Sequence, residues 1–255
     1  DRYYIAPALT YKPDGGTSIT FLTSYQRDSS AVTANFLPYS GTVRPNLSGF
    51  RISRSLNVGD PTFNNFQREQ AYAGYEFEHN IDETWTVRQN LRYSFSDGLQ
   101  NSYVGQIGYA NATETQLGRY LFGYHDNVGL FQVDNHAEAR FSDGLFLHDV
   151  IFGLDYKNYT LHDNQGFIFP GPSLNLLAPT FGPPVSRPSG SLVNIYGFSQ
   201  IGLYAQDQFK LTDRLTLVGG LREDIATTDV TNKLFPASST ERNDHALTGR
   251  VALLY

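Results

Sequence analysis

The sequence predicts an all-β fold of about nine antiparallel strands, and three observations predict it. Apolar and polar residues alternate with a period of two over most of the chain, and no helical periodicity is present. Asp, Asn and Gly cluster at short links between the alternating runs. Short links and long connections follow one another strictly along the chain.

The strands follow in order. From Tyr3 to Lys12 the odd positions are Tyr3, Ile5, Pro7, Leu9 and Tyr11; Pro7 lacks the N–H that a ladder needs, so a break is expected there. After the Pro13–Gly16 link, Thr17–Arg27 sets Ile19, Phe21 and Tyr25 against Ser18, Thr20, Ser24 and Gln26. Gln70–Glu78 alternates Ala71, Ala73, Tyr75 and Phe77 with Tyr72, Gly74 and Glu76. Trp85–Phe95 opposes Trp85, Val87, Leu91 and Tyr93 to Arg88, Asn90 and Arg92. Further strands are expected at Phe131–Phe141, Phe146–Tyr156, Gly202–Leu211, Leu215–Asp224 and Ala246–Tyr255, while Leu117–Gly129 alternates poorly. The short links are Pro13–Gly16, Asn80–Glu83, Ser142–Gly144 and Thr212–Arg214. The long connections are expected over Asp28–Arg68, Asp97–Asp126, Asn158–Gln200 and Ile225–Asp244.

Composition says what the two faces meet. Charged residues are 17% of the 255, against ~25% in ordinary globular domains, and aromatics reach 14%. One face carries Arg88, Asn90 and Arg92 in succession, too polar for a packed core, so it lines water or a plug. The other is capped by aromatics: Tyr3 and Tyr11, Trp85 and Tyr93. Eight residues at ~3.3 Å, tilted ~40°, rise roughly 20 Å, close to the ~25 Å apolar band of a membrane barrel. Strict alternation of short and long connections is the rim asymmetry of outer-membrane barrels, with short turns periplasmic and long loops outside. An odd strand count leaves first and last strands parallel, so the sheet is expected to be an open arc with unpaired edges.

The composition also excludes. With no Cys there is no disulfide framework, zinc finger or thiol chemistry. A net charge of −6 without basic clusters argues against nucleic acid. The six His, at 79, 125, 136, 148, 162 and 245, have no metal-ligand spacing, so no metal is expected; His136 and Glu138 share a face and are expected to pair. Asp126, Asp134, Glu223 and Asp224 read as solvated rim charges, and no GxSxG elbow, GxGxxG or P-loop occurs, so an enzyme is not expected. With no Met and no leader at the start, the chain is expected to be a slice of a longer one.

Residues 1–28, 75–94 (YEFEHNIDETWTVRQNLRYS), 131–144 (FQVDNHAEARFSDG), 148–156, 202–224 (GLYAQDQFKLTDRLTLVGGLRED) and 248–255 closely resemble TonB-dependent siderophore receptors, the ferrichrome-receptor type in particular. The resemblance implies a 22-stranded barrel with an N-terminal plug, of which residues 1–255 are part of the barrel domain, with plug and remaining strands outside the chain. It implies import of a ferric siderophore across the bacterial outer membrane, with outer-membrane lipid on one face and energy from the TonB–ExbB–ExbD complex. No cofactor is implied; iron travels only within its ligand. Asn35-Phe36-Leu37-Pro38 is similar to a loop motif that presents an aromatic to ferrichrome, with Phe36 where the family has Trp. Tyr120, Tyr124 and Phe181 fall in the two other loop regions that supply such contacts. Receptors for cobalamin or a glycan, and a passive porin-like barrel, are the alternatives.

Overall fold

In the computed structural model, which describes residues 1–32, 35–181 and 185–255, the chain is one antiparallel sheet. Its strands are β1 (Arg2–Ile5), β2 (Ala8–Tyr11), β3 (Thr17–Ser30), β4 (Asn65–Asn80), β5 (Trp85–Tyr109), β6 (Gln116–Ser142), β7 (Leu147–Asn175), β8 (Leu192–Thr212), β9 (Leu215–Asn232) and β10 (Thr240–Leu254). β1 and β2 both pair with β3, so they are one pass interrupted at Ala6-Pro7, where the missing N–H was expected to break the ladder. From β3 onward each strand pairs with the next, and among the described residues β10 does not return to β1. The sheet is open.

Register converts alternation into two surfaces. Phe21, Tyr75, Leu91, Val133, Tyr156, Ile201 and Ile225 stand opposite one another across seven strands. One residue along, the same strands supply Thr20, Glu76, Asn90, Asp134, Asp155, Gly202 and Asp224. Directly opposed residues share a face and successive ones do not, so Leu91 and Arg92 lie on opposite sides. At the short-turn end the apolar face closes on aromatic contacts: Trp85 meets Phe152 edge-on at 6.0 Å, and the His148 ring stacks between Phe141 and Phe209. Among the polar side chains that interrupt the apolar face, Gln89 and Asn135 hydrogen bond to each other while Tyr75 donates to Gln89.

Many charges on the polar face are paired. Arg88 faces Glu78 directly and donates to it at 2.8 Å; Glu76 is its diagonal neighbour. Arg88 also reaches Glu138 on the next strand, which Arg140 bonds from the other side. Glu138 is therefore committed to arginines and His136 to Asp134, at 2.7 Å, which corrects the expected His136–Glu138 pair. Tyr204 donates to the same Asp134, and Arg222 bridges Asp155 and Asp224.

The strands run well past the expected boundaries. Asp97–Asp126, expected as a loop, is mostly β-ladder apart from the turn at residues 110–115, and Leu117–Gly129 is strand with register shifts between Leu117 and Leu121. Asn158–Gln200 and Ile225–Asp244 shrink likewise to residues 176–191 and 233–239. The reason is environmental: above the lipid no apolar face is required, so pairing continues through Asn158, Ser199, Thr227 and Asn243, polar residues in register on the formerly apolar side. Among the described residues, 35–64 form the longest irregular stretch.

Candidate ligand-binding site

The four candidate residues all lie at the long-connection end, remote from the turns that carry Asp14, Asp82, Asp143 and Asp213. Tyr120 and Tyr124 stand on distal β6 opposite Val104 and Gln100. Between them lies Phe122, which alternation places on the same, polar, face. Its ring is 5.9 Å from Tyr124 and 5.0 Å from Phe167 of β7, its register partner. A ladder of aromatic planes thus climbs the inner wall. Phe122 and Phe167 were missed because the expected loop hid their pairing.

Phe36 comes from the segment between β3 and β4. Its neighbours are fixed: Asn35 donates to the Leu56 carbonyl and accepts from the Val58 N–H, and Leu37 packs against the Ile52, Val58, Leu117, Leu174 and Leu176 cluster. The Phe36 ring itself is left 58% exposed. Phe36, Tyr120, Phe167 and Phe169 line one groove of about 680 Å³, floored by Gly105 and Gly108. At Gly105 a Cβ would sit 2.5 Å from the Phe36 carbonyl oxygen, so this approach requires glycine. Phe181 lies in the segment after β7, half exposed, and is not among the groove residues.

Polar side chains staple the irregular segment to the sheet. Asn64, buried, accepts from the Tyr103 and Asp60 N–H groups and donates to Val32. Arg119 is 1% exposed and donates to the Val58 and Pro172 carbonyls. Glu114 accepts from the Ser40 hydroxyl and the Leu47 N–H, and these bonds hold its carboxyl below the usual range. It does so with φ at 54°, alone among non-glycine described residues in the left-handed region. The segment 185–191 lies over a bare strip made by the register pair Gly123 and Gly166, where Cβ atoms would meet Pro188.

Below Tyr124, and beyond the band that ends at Tyr93 and Phe131, Asp126 and Asp163 oppose each other on the polar face. Burial, then the neighbouring Asp163, pushes Asp126 up to about 6. Asp126 is therefore not a solvated rim charge. The wall as a whole offers aromatic planes with scattered amides and few free charges, suited to a ligand with apolar faces and neutral oxygens.

The family described as "TonB dependent receptor-like, beta-barrel" matches residues 7–255. Across its whole length the chain is 31% identical to the ferrichrome outer membrane transporter/phage receptor of Escherichia coli K12, and 30% identical to the ferrioxamine receptor of Yersinia enterocolitica. It spans 36% of each of those proteins. The siderophore receptor PiuA of Acinetobacter baumannii superposes with a TM-score of 0.80 at 16% identity, over 99% of this chain and 39% of that one. Sheet order, rim asymmetry and the family match agree: the chain belongs to the TonB-dependent receptor-like β-barrel family, and its open sheet is a partial wall of an outer-membrane barrel.

Proposed function

We propose that the protein carrying this chain is an outer-membrane receptor for a ferric siderophore of the hydroxamate kind, energised by TonB–ExbB–ExbD. Residues 1–255 are read as part of its barrel domain, with a plug supplied from elsewhere in the receptor. The observation that carries this reading is the groove that brings Phe36 and Tyr120 together beside Phe167 and Phe169, continuous with Phe122 and Tyr124. Stacked aromatic planes suit the apolar flank of a neutral chelate, and desolvating them returns ~25 cal/mol per Å² of apolar area. The relatives named for ferrichrome and ferrioxamine, both hydroxamate chelates, support the choice of cargo. Phe181 belongs to this reading as an outer contact from the segment after β7.

A strain dependent on this receptor for iron tests the proposal. Growth on ferrichrome or ferrioxamine as sole iron source, abolished when TonB is deleted, supports it. Growth only on catecholate chelates, or uptake of cobalamin or a glycan in their place, overturns the cargo.

A further inference from the structure

One row of the polar face sets two carboxylates directly opposite each other. Across β4 to β8 it reads Arg68, Gly98, Asp126, Asp163 and Asn194. Arg68 is already bound to Asp28 at 2.9 Å, and Gly98 places no side chain between it and Asp126. Two carboxylates therefore face each other directly, an arrangement that is destabilising unless something positive intervenes.

Hydrogen bonding shows the same deficit. Asp163 is 6% exposed and Asn194 8% exposed. Asp126 Oδ1, Asp163 Oδ1 and Asn194 Oδ1 are all buried and have no hydrogen-bond partner among the described residues. The remaining polar atoms of the buried pair are engaged: Gln165 donates to Asp163 Oδ2 at 3.1 Å, and Asn194 Nδ2 donates to the Tyr196 hydroxyl at 2.8 Å. Along their own strands the flanking residues on this face are Tyr124, Val128, Leu161, Gln165, Leu192 and Tyr196, none of them cationic. His125 is on the opposite face with Asp97. Three acceptor oxygens in consecutive strands thus lack a donor.

A single shared proton would satisfy the two carboxylates and leave the Asn194 oxygen unpaired. A divalent cation satisfies all three oxygens and balances both charges. Carboxylate and amide oxygens without nitrogen or sulfur select a hard ion, and an irregular, incomplete oxygen set completed by water suits calcium better than the strict octahedron of magnesium. We propose that Asp126, Asp163 and Asn194 form a calcium-type cation site on the inner wall, one residue pair below Tyr124. Occupied, it ties β6, β7 and β8 together beneath the aromatic ladder. With three protein ligands, affinity falls in the range of extracellular calcium modules, about 10⁻⁴–10⁻³ M. The inference is independent of which cargo the receptor carries.

The test uses the full-length receptor in detergent after EDTA treatment, titrated with terbium and excited through tyrosine; Tyr124 and Tyr196 flank the site. The wild-type protein gives saturable emission that calcium displaces and magnesium displaces less well, and calcium raises its Tm. Asp126→Asn and Asp163→Asn each weaken terbium and calcium binding by about tenfold or more, because ligand charge sets affinity. Emission and Tm shift that persist unchanged in a folded Asp126→Asn variant overturn the site. So does a wild-type Tm that follows pH between 4 and 7 but ignores calcium, which would assign the pair a shared proton; this readout stands even if the variants fail to fold.

Discussion

The guanidinium of Arg119 lies over the ring of Tyr103, 4.4 Å from its centroid, with both side chains 1% exposed. From there Arg119 bonds the Val58 carbonyl of the 31–64 segment and the Pro172 carbonyl of β7. One buried cation therefore joins three parts of the chain that the sequence separates by 53 and 61 residues. Its burial lowers its pKa, yet an arginine remains charged. Replacing it strands two carbonyls and removes a cation–π contact, a loss of about 3 kcal/mol or more. Arg119→Leu is expected to expose residues 35–64 to proteolysis and fast hydrogen exchange while the band around Leu91 stays protected. Equal protection of 35–64 in wild type and variant would contradict this.

Glu114 supplies the second latch, with a pH dependence whose sign is fixed. Its folded pKa is depressed, so its stabilisation is present above the ordinary carboxylate range and is lost as pH falls below about 4. Glu114→Gly relieves a left-handed backbone but loses the acceptor for Ser40 and Leu47. Faster hydrogen exchange at residues 39–50 is expected in this variant at pH 7, and in wild type only under acid. A slower exchange in Glu114→Gly would show that backbone strain outweighs the latch.

Gly123 and Gly166 set the position of residues 185–191. A Cβ at Gly166 would come within 2.1 Å of the Pro188 backbone, which no flexible side chain can relieve. Gly166→Val is expected to lift residues 185–191 from the sheet and raise protease sensitivity there, with loss of the Ser191–Gln165 bond. A comparable Tm is expected for the barrel, since the strand pairing on either side is intact. Unaltered cleavage at 185–191 would mean that the segment is held from elsewhere.

Absence of cysteine from this chain makes the two-face assignment directly measurable. With any cysteine outside this chain replaced, Leu91→Cys is expected to resist a charged maleimide in membranes and to give a lipid-type spectrum with a polarity-sensitive label. Arg92→Cys, one residue on, reacts readily when the lumen is open to water. The reverse pattern would invert the sheet.

Legibility followed environment. Inside the membrane band lipid imposes a largely apolar face, so Ile19, Phe21, Val87 and Leu91 announced strand, register and sidedness together, and the short Asp-containing links located the turns. Above the band water wets both faces, the period-two signal disappears, and β5 to β9 continued unseen through what reads as loop. The site divided along the same line. Phe36 stood out in a short motif, and Tyr120 by its place in a loop region of the family resemblance. Phe122 and Phe167 became wall residues only once register was known, and the opposition of Asp126 to Asp163, far apart along the chain, is a tertiary fact. Local charge spacing also misled at His136, because Arg88 and Arg140 compete better for Glu138 than an imidazole does.

Binding of iron-55-labelled ferrichrome and ferrioxamine to cells bearing the full-length receptor tests the central claim most directly, comparing wild type with Phe36→Ala, Tyr120→Ala and the double variant. Each lost aromatic contact is worth about 1–2 kcal/mol, so each single variant is expected to weaken binding roughly 5- to 30-fold. Phe36→Trp is expected to keep it, and the double variant to lose more than either single one. Unchanged affinity in the double variant, with the receptor folded and surface-exposed, would contradict the account.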